Sequence, residues 1–344
     1  LKRLEEAGLA VQSRRPLRSF TPSDFPPADG VYHNYGEIVA ELQGLSSAGK
    51  DFVAAFSIGT SVQGRAIPGV RIGYPSRDGR PKPAAAFLGA HHAREHLSTE
   101  VPLLLARWLV DNAREPRVKR LLETRDVYIL PVINPDGVEY DIATGSYRWQ
   151  RKNMRPNANG TVGVDLNRNY DFRFGGEGAS DSPGSDTYHG PSAFSEPESK
   201  AVRDFVEALP NLKMMVSYHT FSELVMYPWG GADEPISDGR ALAAFKAMAA
   251  KAAQWTGYRP MQSSELYVAT GDTCDWAWGS KGVFCLTFEL TPKSQWDGGF
   301  YPGAGAVAAT LQKNIEPALY LIDLADDPYR AANATAKAFT QETK

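Results

Sequence analysis

The sequence predicts an α/β fold in which a sheet is covered by helices on both faces. Three observations carry this. Apolar runs of strand length alternate with stretches of helical period along most of the chain. The strand-like runs are rich in β-branched, aromatic and alanine residues, as short buried strands are. The 344 residues suffice for one large single-core domain plus a short extension.

The first twenty residues, LKRLEEAGLAVQSRRPLRSF, carry Arg14, Arg15 and Arg18 just ahead of the Pro-rich FTPSDFPPADG. That composition shift marks an exposed, cleavable boundary near Asp24. Leu1 is not a methionine and no charged-then-apolar leader follows, so the expectation is that the true N-terminus was removed or left out. A helix is expected over 35–45, then strands near 52–58, 84–89 and 127–133. Helical period follows at 100–112, 196–209, 239–255 and 306–324, with further β-rich runs at 214–218 and 283–290.

Between Phe174 and Ser195 the stretch GGEGASDSPGSDTYHGPSAFS is too poor in apolar residues to pack and long for a simple connection. It reads as a surface loop bordering a cleft. The division expected is 1–23 as linker, 24–326 as the main domain and 327–344 as a polar, alanine-rich tail. Two sequons, at Asn159 and Asn333, carry no functional weight because such matches are common by chance.

Composition excludes several classes. Hydrophobic residues make up 42% and charged residues 22%, near the globular average, and no apolar run is long enough to cross a bilayer. A formal charge of -3, without a basic stripe interleaved with aromatics, argues against a nucleic-acid partner. Cys274 and Cys285 are too few for a disulfide framework or a thiolate zinc site.

The residues suited to chemistry sit where apolar strands end. AAAFLGA runs straight into HHAREH, and open α/β sheets bind ligands at such strand ends. His92 and Glu95, three residues apart, can bring an imidazole nitrogen and a carboxylate oxygen to one cation. MMVSYHT supplies His219 at the end of another strand candidate, and two histidines with a glutamate leave a fourth zinc position for water. His92, Glu95 and His96 also fit the inverted zincin pattern, in which both histidines bind zinc and Glu95 is the base. That pattern belongs inside a long helix, whereas here it follows a strand. In KGVFCLTFEL, Glu289 lies within a run suited to burial, where a carboxylate is costly unless paired or functional; it is the general-base candidate.

Taken in order, HHAREH, INPDG, YRWQRKN, GVDLNRNYD, SYHTFSELVMYPWG, ELYVATGDTCDWAWG and LTFEL resemble the motif set of the metallocarboxypeptidases of the carboxypeptidase A type. DFPPADGVYHNY, HHAREHL and WDGGFYP bring the likeness nearest to the bacterial carboxypeptidase T group, over about 24–326. The resemblance implies a mixed parallel and antiparallel central sheet with helices on both faces. It implies one zinc per chain on His92, Glu95 and His219, with Glu289 passing a proton from the attacking water to the leaving amine.

By the same resemblance Arg151 steadies the oxyanion, while Asn167 and Arg168 grip the substrate's terminal carboxylate. Tyr267 is the phenol that closes over bound substrate, and Arg148 an outer subsite arginine. Asp272, Cys274 and Thr287 match the base of the specificity pocket. Asp272 is suited to a substrate Lys or Arg, whereas Cys274 neither recruits charge nor fills space, so both basic and apolar C-terminal residues are expected. Cys274 and Cys285 lie near each other behind the pocket, as a disulfide or as two thiols. Residues before Asp24 match the end of an inhibitory prosegment, and structural calcium is a further implication without identifiable ligands. The expected protein is a secreted monomer acting on peptide or protein C-termini. The alternatives are a silent peptide-binding module, against which Glu289 and Arg151 argue, and a hydrolase of another bond on the same scaffold.

Overall fold

The computed structural model describes residues 24–76 and 78–333. Helix α1 (Tyr35–Ala48) begins at Asn34, whose side chain accepts from the Glu37 N–H while Glu37 reaches back in a capping box, and it buries Ile38, Leu42 and Leu45 on one face. Strands β1 (Val53–Thr60), β2 (Ala66–Ile72) and β3 (Ala84–Leu88) follow, then α2 (Leu97–Asp111), α3 (Pro116–Thr124), β4 (Asp126–Leu130) and α4 (Pro135–Ile142). The second half adds α5 (Pro197–Glu207), β5 (Leu212–Thr220), β6 (Leu224–Tyr227), α6 (Gly239–Thr256), β7 (Arg259–Gln262), α7 (Thr273–Lys281), β8 (Phe284–Leu290), α8 (Gly305–Leu324) and α9 (Arg330–Asn333).

The eight strands form one sheet in the order β1-β2-β4-β3-β5-β8-β6-β7. β4, β3, β5 and β8 run parallel at its centre, and the β1/β2, β2/β4 and β6/β8 pairs are antiparallel. Successive side chains on a strand point to opposite faces, and the core divides accordingly. Ala85, Phe87, Val216, Tyr218, Leu286 and Phe288 join the helices α1, α2, α6 and α8 on one face. Ala86, Leu88, Met215 and Cys285 join α5 and α7 on the other. Both faces of the sheet are therefore covered, which is why its central strands read as continuous apolar runs.

The elements absent from the sequence reading are short or carry breakers. Pro68 and Gly69 interrupt β2, Gly137 lies inside α4, and α7 spans nine residues including Gly279. Gly69 is required by close packing, since a Cβ there would meet Leu130 at 2.6 Å. The tail boundary moves: Tyr329 packs edge-on against Phe284 at 5.1 Å and Ala331 is buried, so residues up to 333 belong with the main body. The expected linker over 1–23 and the rest of the tail lie outside the described residues. Among the described residues no helix is long and apolar enough to cross a membrane.

A buried carboxylate ties the β1–β2 turn to α5. Glu198 accepts from the Val62 N–H at 3.0 Å and from the Asn153 amide at 3.0 Å. Burial pushes its carboxyl up to about 7, the Val62 and Asn153 hydrogen bonds only partly offsetting this. The folded state therefore holds this proton more tightly than the unfolded chain does. The stability it contributes is complete below the unfolded carboxyl's value and is lost as pH rises through about 7. Urea unfolding of wild type and Glu198→Gln between those limits is expected to show wild type losing up to about 3 kcal/mol relative to the variant. Parallel curves would contradict it.

Candidate active site

Three neighbouring parallel strands, β3, β5 and β8, deliver the site at their C-terminal ends. β3 ends at Leu88, and Gly89 lets the chain pass against α2, for a Cβ there would lie 2.1 Å from the Ser98 carbonyl oxygen. The chain then turns through His92 and Glu95 before α2 begins. His219 lies in β5 directly beside Glu289 in β8. Both share the sheet face of Met215 and Cys285, so the two side chains emerge together.

His92, Glu95 and His219 are buried, and one ligand atom from each lies within 4.8 Å of the others. The two Nδ1 atoms of His92 and His219 are 3.1 Å apart, with the Glu95 carboxylate at 2.8 Å from the first and 3.0 Å from the second. The far ring nitrogens are held: His92 Nε2 by Asp165 at 3.0 Å and His219 Nε2 by Ser217 at 3.0 Å. His96 turns away, its Nε2 2.8 Å from Asp141. The geometry thus assembles His92 with His219 rather than with His96, and the inverted zincin arrangement is not formed.

The electrostatics follow from this packing. Burial favours the neutral form of Glu95, but His92 and His219 outweigh it and hold the carboxyl well below its usual range. Asp165 behaves likewise, burial being overcome by Arg151 and His92; its second oxygen accepts from Arg151 Nε at 3.0 Å. For Glu289, burial, then the charge of Glu95, push the carboxyl up to about 8, and the charges of His219 and Arg151 offset this only in part. Its Oε2 is buried without a hydrogen-bond partner among the described residues.

A cavity open to solvent is lined by His92, His219 and Glu289 together with Asn167, Arg168, Tyr267, Asp272 and Thr287. Asn167 uses Oδ1 to accept from Thr273, which turns its amide nitrogen the other way. Arg168 is fixed by its own donations to Gly178 O at 3.0 Å and Asn167 O at 2.8 Å. Tyr267, 52% exposed, sits with its ring 5.8 Å from the Arg168 guanidinium, a placement free to move. Asp272 caps α7 by accepting from the Cys274 and Asp275 N–H groups through Oδ1, and its buried Oδ2 has no partner among the described residues. Arg151 lines the adjoining cleft with Arg94, Arg168 and Tyr267. Gly178, Asp186 and Thr187 also line it, so the polar stretch after Phe174 does border a cleft, anchored by the buried Tyr188 and Phe194.

Comparison with known proteins gives this arrangement a family. A model described as zinc carboxypeptidase matches residues 38–317. The chain belongs to the zinc carboxypeptidase family. It is 36% identical to a zinc carboxypeptidase of Saccharothrix mutabilis subsp. capreolus over 85% of this chain and 69% of that one. It is 33% identical to mouse carboxypeptidase A2 over 79% of this chain and 64% of the relative, so it spans about two thirds of these proteins' length. The structure of carboxypeptidase A from Helicoverpa armigera superimposes with a TM-score of 0.76 at 28% identity, covering 98% of this chain and 82% of that one. The protein is accordingly a metallocarboxypeptidase, and the mixed sheet is that of zinc carboxypeptidases.

The donor set fits the family's metal. Two imidazole nitrogens and a carboxylate converge, and both far nitrogens are held by oxygen partners, as those of zinc-ligating histidines are. Among the described residues this is the one group of three or more His, Cys, Asp or Glu able to hold a metal, and the calcium expectation finds no support there.

One expected pocket residue, Cys274, and the expected outer-subsite arginine, Arg148, are not among the residues that line the cavity. Cys274 does not line the cavity: its sulfur is bonded to Cys285, and both pack in the core between the sheet and α7. The reason is helical phase, since Asp272 caps α7 toward the cavity and Cys274 turns toward β8. Arg148 is exposed and lies over the Tyr140 ring at 4.6 Å, outside the cavity. Asp165 was missed as a functional residue although it opens DLNRN. It bridges His92 and Arg151 from a fully buried position, and an aspartate ahead of an arginine-bearing motif gives that role no distinct sequence signal.

Proposed function

We propose that this metallocarboxypeptidase acts outside the cell on the C-termini of peptides and proteins, releasing single basic and apolar residues. The observation that carries the reading is one cavity lined jointly by His92, His219 and Glu289 and by Asn167, Arg168 and Asp272. A metal site and a base address the peptide bond, while an amide and a guanidinium suit a terminal carboxylate. The Cys274–Cys285 bond supports an oxidising compartment.

His92, Glu95 and His219 would hold the zinc, which would supply a Lewis acid for the scissile carbonyl and make water more acidic. Glu289 accepts the proton of the attacking water at its carboxylate and returns it to the leaving amine nitrogen. Arg151, held through Asp165, presents a fixed guanidinium to the developing oxyanion. Asn167 and Arg168 hold the substrate's α-carboxylate, and Tyr267 closes over it. Met226, Leu266 and Ala269 supply an apolar wall for the last side chain, and the unpaired Oδ2 of Asp272 supports acceptance of a cationic head.

The test is amino-acid release from blocked dipeptides ending in Phe, Leu, Arg, Lys or Asp, with and without a zinc chelator. Chelator-sensitive release of both apolar and basic residues is expected. Asp272→Ala is expected to lower kcat/KM for Arg and Lys by about tenfold or more relative to Leu. Release of a single class, or an unchanged ratio in the variant, would contradict the dual pocket.

A further inference from the structure

We propose that Asp141 is a positioning residue for the reaction: from beneath the turn 148–150 it sets where the Arg151 guanidinium meets the developing oxyanion, and it ties that turn to the one carrying the metal ligands. The inference rests on the reading above in which Arg151 steadies the oxyanion. Arg151 has no regular element to stand on. Residues 147–151 lie in neither helix nor strand, and Trp149 holds φ +62°, a left-handed conformation unfavourable for a tryptophan. Such a turn persists only where its surroundings enforce it.

Asp141, in the last turn of α4 and fully buried, supplies that enforcement. Its Oδ1 accepts from the N–H groups on either side of Trp149, those of Arg148 at 3.2 Å and Gln150 at 2.8 Å. The same carboxylate reaches the metal side of the site. Its Oδ2 lies 2.8 Å from His96 Nε2 and accepts from the Tyr301 hydroxyl at 3.1 Å. His96 directly follows Glu95, and the Ala93 N–H, beside His92, donates to the Arg151 carbonyl oxygen at 3.0 Å. The two turns are thus joined twice, once through the main chain and once through Asp141. Phe25 packs edge-on against His96 at 4.8 Å and Tyr147 stacks on Tyr301 at 3.8 Å, so the network lies in apolar surroundings where hydrogen bonds are stronger than in water.

Two buried aspartates therefore divide the work on one arginine. Asp165 holds the guanidinium head, through Nε at 3.0 Å and Nη2 at 2.9 Å. Asp141 holds the main chain from which that side chain starts, so it decides how far the head reaches. Misplacing a reacting or stabilising group by about 1 Å costs on the order of a hundredfold in rate. Asp141 is not among the residues that line the cavity or the adjoining cleft, and its effect on the reaction passes through Arg151.

The experiment measures kcat, KM and zinc content for Asp141→Ala and Asp141→Asn, each made in wild type and in Arg151→Ala, with a blocked dipeptide as substrate. Asp141→Ala is expected to lower kcat about thirtyfold, with KM within about twofold and zinc retained. Asp141→Asn, whose Oδ1 still accepts from the two N–H groups, is expected to recover most of that loss. Arg151→Ala alone is expected to lose about a hundredfold or more in kcat. In that background Asp141→Ala is expected to cost no more than about twofold, because the group it positions is gone. Tyr301→Phe keeps the ring and removes one donor to the same carboxylate. It carries the comparison if Asp141→Ala does not fold, with a loss of about threefold in kcat that vanishes in Arg151→Ala. An unchanged kcat in the variant used, a loss that multiplies in Arg151→Ala, a loss confined to KM, or loss of zinc would overturn the positioning role while the reading of Arg151 stands. Wild-type kcat in Arg151→Ala would overturn that reading and the positioning role with it.

Discussion

Glu289→Gln is expected to lower kcat by about a thousandfold, within the range that positioned proton transfer contributes. Zinc content and KM are expected to change little. The carboxylate lies beside His219 across the β5–β8 pair, with Oε2 buried and without a hydrogen-bond partner among the described residues. It takes no part in the convergence of His92, Glu95 and His219. The amide is isosteric and removes only the ability to accept and return a proton. Because burial and Glu95 set the carboxyl high, the substitution also relieves an electrostatic cost, and the variant is expected to be at least as stable as wild type without metal. Steady-state kinetics with metal analysis checks this; near-normal turnover with full zinc would remove Glu289 from the base role.

The second large effect concerns the metal. His219→Ala is expected to lose zinc on dialysis and, with it, activity, since it deletes one of three converging ligand atoms. The loss of affinity is expected to exceed the roughly hundredfold typical of losing a residue that only holds a ligand's far nitrogen. His96→Ala is expected to retain zinc, because the His96 imidazole bonds Asp141 and not the metal site. The inverted zincin arrangement demands the reverse, severe zinc loss in His96→Ala. Metal content of the two dialysed variants separates them.

The convergence of His92, Glu95 and His219 was legible in the sequence because these residues sit at the ends of apolar strands, and the strand ends were legible as apolar runs. His92 with Glu95 needs one turn of chain, and His219 needs β5 next to β3, a pairing that only the structure gives. Glu289 stood out by contrast, one charge within a strand of buried residues. What depended on side-chain direction was harder to read. Whether Cys274 faces the cavity or β8 turns on one step of helical phase at the start of α7, a helix the periodicity did not announce. Arg148 and Arg151 lie on the same turn, yet only Arg151 points to the cleft, because Asp165 pulls its guanidinium inward. Asp141 and Asp165 organise the site through hydrogen bonds to distant residues, and such roles leave no local pattern. Strand β2 was hidden by Pro68 and Gly69, which a hairpin partner and a tight contact with Leu130 accommodate.

The central claim is that one cavity joins a zinc peptide-bond site to a terminal-carboxylate clamp. It is tested most directly by offering wild type one blocked peptide in two forms, with a free C-terminal carboxylate and with a C-terminal amide, each with and without chelator. The expected result is release of the single terminal residue from the free acid alone, abolished by the chelator and restored by added zinc. Equal cleavage of the amide, cleavage at internal bonds, or release that survives the chelator would contradict it.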